Sequence, residues 1–197
     1  MAPHAALAEI GVEYELVRVE RDESGHGTEA YLRLNPSGRV PTLEDGDLVI
    51  TESAAILLHL ADRFPEAGLI PAVGTDARTE LYVWLVYLTN TVQPMMMRFF
   101  YPERYGDDTV RDVAADAAQA EFAQIDQRLG DREWLVGSTR SIADLFLLMM
   151  TRFGRRLDPP AWDNPNLRRH FQRTFELPGV RRMFEEQDIE LPPFADS

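Results

Sequence analysis

Residues 35–64 read NPSGRVPTLEDGDLVITESAAILLHLADRF, and this stretch decides the fold of the chain around it. It opens with the turn 35–38, in which proline fixes φ and glycine tolerates a positive φ. Two short strand-like runs, 42–44 and 48–50, flank Asp45-Gly46, a dipeptide typical of tight hairpins. A helix should begin near residue 51, because apolar side chains then recur at three- and four-residue steps: Ile56, Leu57, Leu60 and Phe64.

The start of that helix is where the sequence predicts a ligand. The first N–H groups of a helix have no internal partner, and the macrodipole attracts anions to this end. Ser53 could hold the carboxylate of a ligand while Glu52 holds its ammonium group. The alternative is structural, with Thr51 or Ser53 capping the helix and Glu52 complementing its dipole. Taken alone, the pair favours the cap.

The whole stretch resembles the glutathione-binding half of the glutathione S-transferase family. The matching features are Asn-Pro-Ser-Gly-Arg-Val-Pro at 35–41, the hairpin, and Glu-Ser-Ala-Ala-Ile at 52–56. The resemblance implies glutathione as co-substrate and a cis peptide bond between Val40 and Pro41. It implies that the backbone of Val40 pairs with the cysteinyl part of glutathione, and that Glu52 and Ser53 hold the γ-glutamyl end.

Composition limits the other functions. The 197 residues are 45% hydrophobic and 27% charged, as in ordinary globular proteins, and the net charge of −13 argues against a nucleic-acid partner. No metal site is expected, because there is no cysteine and the histidines lack ligand spacing. The chain has no 18-residue apolar run and no signal-peptide pattern, so we expect a cytoplasmic protein without a membrane partner. The four histidines are His4, His26, His59 and His170.

The chain before residue 35 predicts most of a thioredoxin-like domain. Met1–Gly11 is typical of a short helix, and Val12–Glu20 predicts a strand because apolar and acidic residues alternate. Asp22–Thr28 is polar and predicts a loop, and Glu29–Leu34 a helical turn.

Segment 2–11 resembles the first helix of bacterial beta-class members, in which a strand and the residue that activates the glutathione sulfur come just before it. The catalytic residue therefore stays unknown. We expect a start codon assigned too far downstream or a trimmed chain, the alternative being a protein that lacks this strand. His4 lies near the helix start, but an exposed histidine near a terminus usually has no such role.

The second half predicts helices. Phe64–Gly74 is rich in proline and glycine, which indicates a connection between domains. We predict a thioredoxin-like glutathione-binding domain at 1–66, a linker at 67–74 and an all-helical domain at 75–197. The expected fold is an α/β thioredoxin-like domain, here without its first strand, followed by an all-α bundle.

Two features of the helical half matter for function and folding. Ser141 and Asp144 form a capping box, which the resemblance also implies at this point. We assign them a folding role, because no nearby histidine completes a catalytic set in the sequence. Pro94 should kink the long helix that Thr75 begins.

The resemblance places the second substrate against that long helix. We expect Gln93, Met97 and Tyr101 to line its pocket, since the first two share a helix face with Thr89. Methionine is polarizable and suits varied apolar ligands, although the methionines 95–97 could instead fill the core. Beta-class members often have histidine at the position of Gln93, so the chain departs from them there.

The resemblance therefore implies a homodimeric transferase that conjugates the glutathione thiolate to a small apolar electrophile. Two other functions stay open: a non-catalytic glutathione-transferase-like binding or interaction module, and an isomerising or reductive relative that uses glutathione as a cofactor. The expected dimer contacts are Leu57, His59, Arg63, Leu81, Tyr82 and Tyr87.

Overall fold

The computed structural model describes residues 1–20, 27–107 and 109–194. Most of the predicted loop Asp22–Thr28, including His26, lies outside these ranges. In the described part, helices surround a two-stranded hairpin in the N-terminal domain, and the C-terminal domain is helical. The predicted fold class is confirmed. The elements are α1 (Ala2–Ile10), α2 (Glu29–Leu34), β1 (Thr42–Asp45), β2 (Leu48–Thr51), α3 (Ser53–Arg63), α4 (Asp76–Tyr87), α5 (Gln93–Phe100), α6 (Thr109–Leu129), α7 (Ile142–Phe153), α8 (Pro165–Phe175) and α9 (Pro178–Glu186).

The hairpin has the predicted form, and side chains of α3 contact its turn. Strands β1 and β2 are antiparallel, and their register runs from Thr42 opposite Thr51 to Asp45 opposite Leu48. The Asp45 carboxylate lies 2.8 Å from Nε2 of His59 and 3.1 Å from a guanidinium nitrogen of Arg63. These two residues of α3 therefore fix the helix against the hairpin turn.

The strand predicted at Val12–Glu20 is not formed. Within the described residues the sheet has two strands, β1 and β2, and neither pairs with this segment. Leu16 and Val17 are exposed. A strand needs a ladder partner for its backbone groups, so alternation of apolar and acidic residues is not sufficient to make one.

The long helix is interrupted next to Pro94, where a kink was predicted, by a π-helical turn. Thr75 caps α4 by accepting a hydrogen bond from the N–H of Arg78 at 3.2 Å. Residues Leu88–Val92 then form the π-helical turn, and Pro94 lies in the first turn of α5. Proline has no N–H, so it cannot make the regular backbone hydrogen bond of a continuous helix at this position.

One hydrophobic core joins the two domains around α7, in which every residue from Ile142 to Thr151 is buried. Helix α1 packs against α3, α7 and α9. Gly179 allows the close contact with α9, because a Cβ at this position would lie 2.3 Å from the backbone nitrogen of Glu9. The N–H of Gly179 donates to the Glu9 carboxylate at 2.6 Å.

The connection between the domains is also fixed. Leu69 is fully buried, and its carbonyl accepts from the N–H of Ile142 at 2.9 Å. Buried Arg78 donates to the Pro71 carbonyl at 2.9 Å and to the Asp62 carboxylate at 2.8 Å. The end of α3, the connection and α4 are thereby held together.

Candidate functional site

The hairpin brings the two halves of the predicted ligand site to one end. Thr42 is paired with Thr51, so the segments 40–41 and 52–53 both continue from the open end of the same ladder. Paired residues of an antiparallel ladder are about 4.5–5.5 Å apart. Val40-Pro41 and Glu52-Ser53 therefore lie at the same end of the hairpin, although ten residues lie between Pro41 and Glu52 in the sequence.

The loop before β1 is braced from inside by two side chains that the sequence analysis did not select. The Asn35 amide donates to the Arg39 carbonyl at 2.7 Å, and the Tyr31 hydroxyl donates to the same carbonyl. The Tyr31 hydroxyl also lies 2.9 Å from Oγ1 of Thr42. Both bracing residues are buried. The Asn-Pro turn was a signal for Asn35, since an asparagine side chain often bonds its own turn; Tyr31 gave none.

The backbone of Val40 is presented to solvent. The peptide bond between Val40 and Pro41 is cis, as the resemblance implied. Val40 is 53% exposed, and neither its N–H nor its C=O has a hydrogen-bond partner within residues 1–20, 27–107 and 109–194. An extended peptide could therefore pair with Val40 through main-chain hydrogen bonds.

Glu52 is the N-cap residue of α3 and has an unusual backbone conformation. Its φ is 67° and its ψ is 118°, and its side chain makes no capping hydrogen bond. Non-glycine residues with positive φ cost about 1–3 kcal/mol and cluster at ligand sites. Neither Thr51 nor Ser53 caps the helix, so the capping part of the structural alternative is wrong.

Ser53 is the first residue of α3 and directly follows the N-cap residue Glu52. Its hydroxyl has no hydrogen-bond partner in the described part of the chain. The first turn contains no acidic side chain. The helix N–H groups and the Ser53 hydroxyl can thus bind a carboxylate while the exposed Glu52 carboxylate binds an ammonium group.

A cavity of about 270 Å³ lies between the end of α5 and the end of α7. Met97 and Tyr101, both predicted for the second-substrate pocket, line it. The rings of Phe100 and Phe153 also line it, with their centroids 5.9 Å apart and their planes at 90°. Three arginines that the sequence analysis missed complete the lining: Arg152, Arg155 and Arg156.

Gln93 is not among the residues that line this cavity, and its predicted place beside the second substrate stays a prediction. The prediction assumed a regular α-helix, in which residues four apart share a face. The N–H of Gln93 instead bonds the Leu88 carbonyl, five residues earlier, which is the π-helical pattern. The Thr89 hydroxyl donates to the Leu85 carbonyl at 2.8 Å. Of the methionines, Met96 is fully buried in the core.

Asp144 forms a buried hydrogen-bond network. Its carboxylate accepts from the N–H and hydroxyl of Ser141 and from the N–H of Leu135, each at 2.8 Å. Nε2 of His170 also lies 2.8 Å from it. The expectation that no histidine is nearby was wrong, because folding brings α8 onto α7. The aspartate lies between the serine and the histidine, so this is not the arrangement of a catalytic triad, in which histidine contacts serine.

The start of α1 is held by α9 rather than open to a ligand. His4 is buried, not exposed as expected, and its Nε2 lies 2.6 Å from the Glu186 carboxylate. The Tyr14 hydroxyl donates to the same carboxylate at 2.6 Å. The side-chain amide of Gln187 donates to Nδ1 of His4 at 2.7 Å. His4 is thus engaged in packing, and the thiol-activating residue stays unassigned.

Comparison with known protein families matches an N-terminal and a C-terminal part of the chain separately. The sequence model of the glutathione S-transferase N-terminal domain matches residues 1–62, and that of the C-terminal domain matches residues 83–178. A maleylacetoacetate isomerase of Pseudomonas aeruginosa is 31% identical over 199 residues, covering 95% of this chain and 91% of the relative.

Solved structures agree with the sequence comparison. A bacterial beta-class glutathione S-transferase of Sphingomonas chungbukensis has a TM-score of 0.85 and 31% identity, covering 96% of this chain and 94% of that one. A sphingomonad glutathione S-transferase complexed with glutathione has a TM-score of 0.83, with the same identity and coverage. The chain belongs to the glutathione S-transferase family, and its structural neighbours include a bacterial beta-class member.

Two further findings concern membranes and metals. In the described ranges, no helix is long and apolar enough to cross a membrane. Within the same ranges, no cluster of three or more His, Cys, Asp or Glu side chains could hold a metal ion.

Proposed function

We propose that the chain binds glutathione at the open end of the hairpin and conjugates its thiolate to a small electrophile with an apolar body. The γ-glutamyl carboxylate would bind at Ser53, the γ-glutamyl ammonium group at Glu52, and the cysteinyl backbone at Val40, next to Pro41. The observation that carries the proposal is the adjacency of these groups at one end of the ladder, all without partners among the described residues.

The cavity lined by Met97 and Tyr101 would receive the electrophile. Its aromatic and thioether side chains suit an apolar ring. In the reaction the glutathione thiol loses its proton to solvent, the thiolate sulfur forms a bond to carbon, and the leaving group departs with its electron pair. The chain would orient both reactants, and the group that lowers the thiol pKa is not assigned.

The proposal includes the organisation expected from the sequence. The glutathione-binding domain would comprise residues 1–66, the linker 67–74 and the helical domain 75–197. The protein would act as a homodimer in the cytoplasm. The dimer contact needs revision, because Leu57 and Leu81 are fully buried in the core of one chain and cannot face a partner.

The test is formation of the thioether from glutathione and 1-chloro-2,4-dinitrobenzene. We expect turnover above the uncatalysed rate, with chloride released as the sulfur–carbon bond forms. Met97→Trp should slow it by obstructing the cavity, while glutathione affinity stays unchanged. Val113→Trp is the control, since Val113 is exposed on α6 and does not line the cavity. Glutathione binding without turnover would favour the non-catalytic module.

Isomerisation with glutathione as a cofactor is a second candidate. It is favoured by the 31% identity to a relative named maleylacetoacetate isomerase over 95% of the chain. The two reactions differ in the fate of glutathione. A transferase consumes it in equal amount to the product, whereas an isomerase leaves its concentration unchanged, so a thiol titration after turnover distinguishes them.

A further inference from the structure

Three arginines line one wall of the cavity in a chain whose net charge is −13. Arg152 belongs to the last turn of α7, and Arg155 and Arg156 belong to the short 3₁₀ turn Gly154–Arg156 that follows it. Positive charge is thereby concentrated beside the aromatic floor formed by Phe100 and Phe153. A cavity for purely apolar ligands has no use for three guanidinium groups.

These guanidinium groups are not neutralised from inside the chain. Across residues 1–20, 27–107 and 109–194, none of the three forms an ion pair with a carboxylate. Glu190 acts on Arg152 and Arg155 only from beyond ion-pair distance. Burial, together with the neighbouring Arg155, lowers the pKa of Arg152 to about 10. The site therefore holds positive charge that an anion would stabilise.

A structural role accounts for part of the cluster. Arg155 donates to the Arg152 carbonyl at 2.9 Å, which satisfies a group at the end of α7. Cations near a helix C-terminus also interact favourably with its dipole. The dipole does not occupy the hydrogen-bond donors of Arg152 and Arg156, whose side chains make no hydrogen bond to the described residues. The guanidinium carbon of Arg152 lies 5.8 Å from the centroid of the Phe184 ring.

We propose that the second substrate carries a carboxylate, which Arg152 and Arg156 bind while its ring lies against Phe100 and Phe153. This inference names the substrate class of the cavity described above and so rests on the proposed function. Guanidinium groups match carboxylates in geometry, and an aromatic floor beside them selects an aromatic or other planar acid.

The test is a calorimetric titration with 3-nitrobenzoate and 3-nitrobenzamide, which share a ring but differ in charge and do not react with glutathione. We expect the benzoate to bind the native chain about tenfold more tightly than the benzamide. Arg152→Met and Arg156→Gln should each remove most of that preference and leave benzamide affinity unchanged. Arg181→Gln removes the same charge on α9, outside the cavity, and should change neither affinity.

Thermal unfolding of the same variants separates binding from packing. Arg152→Met removes a half-buried charge that has no carboxylate partner in the described chain, so the melting temperature should stay equal or rise. Equal affinity of the native chain for both probes, or equal loss of both in the variants, would overturn the inference. The titration contains no glutathione, so a failure of thioether formation with 1-chloro-2,4-dinitrobenzene would count against the proposed function alone.

Discussion

Glu52 combines an unfavourable backbone with an unused side chain. A non-glycine residue at a φ of 67° has a conformational cost, and no side-chain capping bond offsets it. The neighbouring Ser53 also has a free hydroxyl among the described residues. Such a pair is explained by an external ligand better than by helix stability.

Ser53→Ala distinguishes these two explanations. Because Glu52, not Ser53, is the N-cap residue of α3, we expect the free energy of unfolding to change by less than about 0.5 kcal/mol. The affinity for glutathione should fall about tenfold, since a hydrogen bond to a carboxylate is lost. Thermal melts and calorimetry on the same sample measure both. A loss of stability above about 1 kcal/mol would show that the hydroxyl caps the helix.

Asp144→Ala should be strongly destabilising. The carboxylate is fully buried and accepts four hydrogen bonds, from Ser141, Leu135 and His170, so its removal leaves several buried groups unpaired. We expect a loss of about 3–5 kcal/mol in denaturant unfolding. Asp163→Ala, which breaks an exposed pair with Arg168, should cost about 1 kcal/mol or less. Equal costs for the two variants would contradict the folding role.

At the residue scale, the sequence predicted side chains that act through local geometry. Glu52 and Ser53 follow from a helix start, and the box at Ser141 and Asp144 from capping spacing. The contact of His170 with Asp144 could not be predicted, because it joins two helices that are brought together only by folding. The contact of Tyr31 with the Arg39 carbonyl could not be predicted either, because it depends on how the loop folds back onto α2. The arginine cluster at 152–156 was visible as a basic run, but its position on a cavity wall depends on how α5 and α7 pack.

At the element scale, the contact between α1 and α9 should be sensitive to acid. The hydrogen bonds from Tyr14 and Arg182 lower the pKa of Glu186 from 4.5 to about 2. The ionised carboxylate thus stabilises the fold above pH 4.5, and this stabilisation is lost as pH falls from 4.5 toward 2. Burial lowers the pKa of His4, which gives a loss in the same direction as pH falls through its range.

Glu186→Gln tests this assignment. Its melting temperature should fall less between pH 6 and pH 3 than that of the native chain, because the titrating carboxylate is absent. Glu185→Gln is a matched control, since Glu185 is exposed on the same helix and should leave the pH dependence unchanged. The same decline in all three proteins would place the acid sensitivity elsewhere.

Elements with a strong local signal were predicted well, and those that need a partner were not. The hairpin follows from Asp45-Gly46, and α3 from its apolar period. The segment Val12–Glu20 has strand periodicity but no ladder partner in the described chain. Pro94 predicted an irregularity in the long helix but not its form, which is the π-helical turn that precedes it.

At the scale of the whole molecule, we expect a dimer built on α4. This helix exposes Tyr82, Val83 and Val86, whereas Leu57 and Leu81 are in the core. Light scattering should give twice the 22.5 kDa mass of the chain. Val86→Glu should reduce the mass to that of one chain, whereas Val113→Glu, a change at an exposed valine on α6, should not. A monomeric native chain would remove this part of the proposal.

The central claim is that the open end of the hairpin binds glutathione, and calorimetric titration with glutathione tests it most directly. We expect the native chain to bind, and Glu52→Gln to weaken binding about ten- to a hundredfold through loss of the charged contact to the ammonium group. Glu44→Gln, an exposed change on β1, should leave the affinity unchanged. A folded native chain without measurable binding at millimolar glutathione, or equal affinity in Glu52→Gln, would contradict the claim.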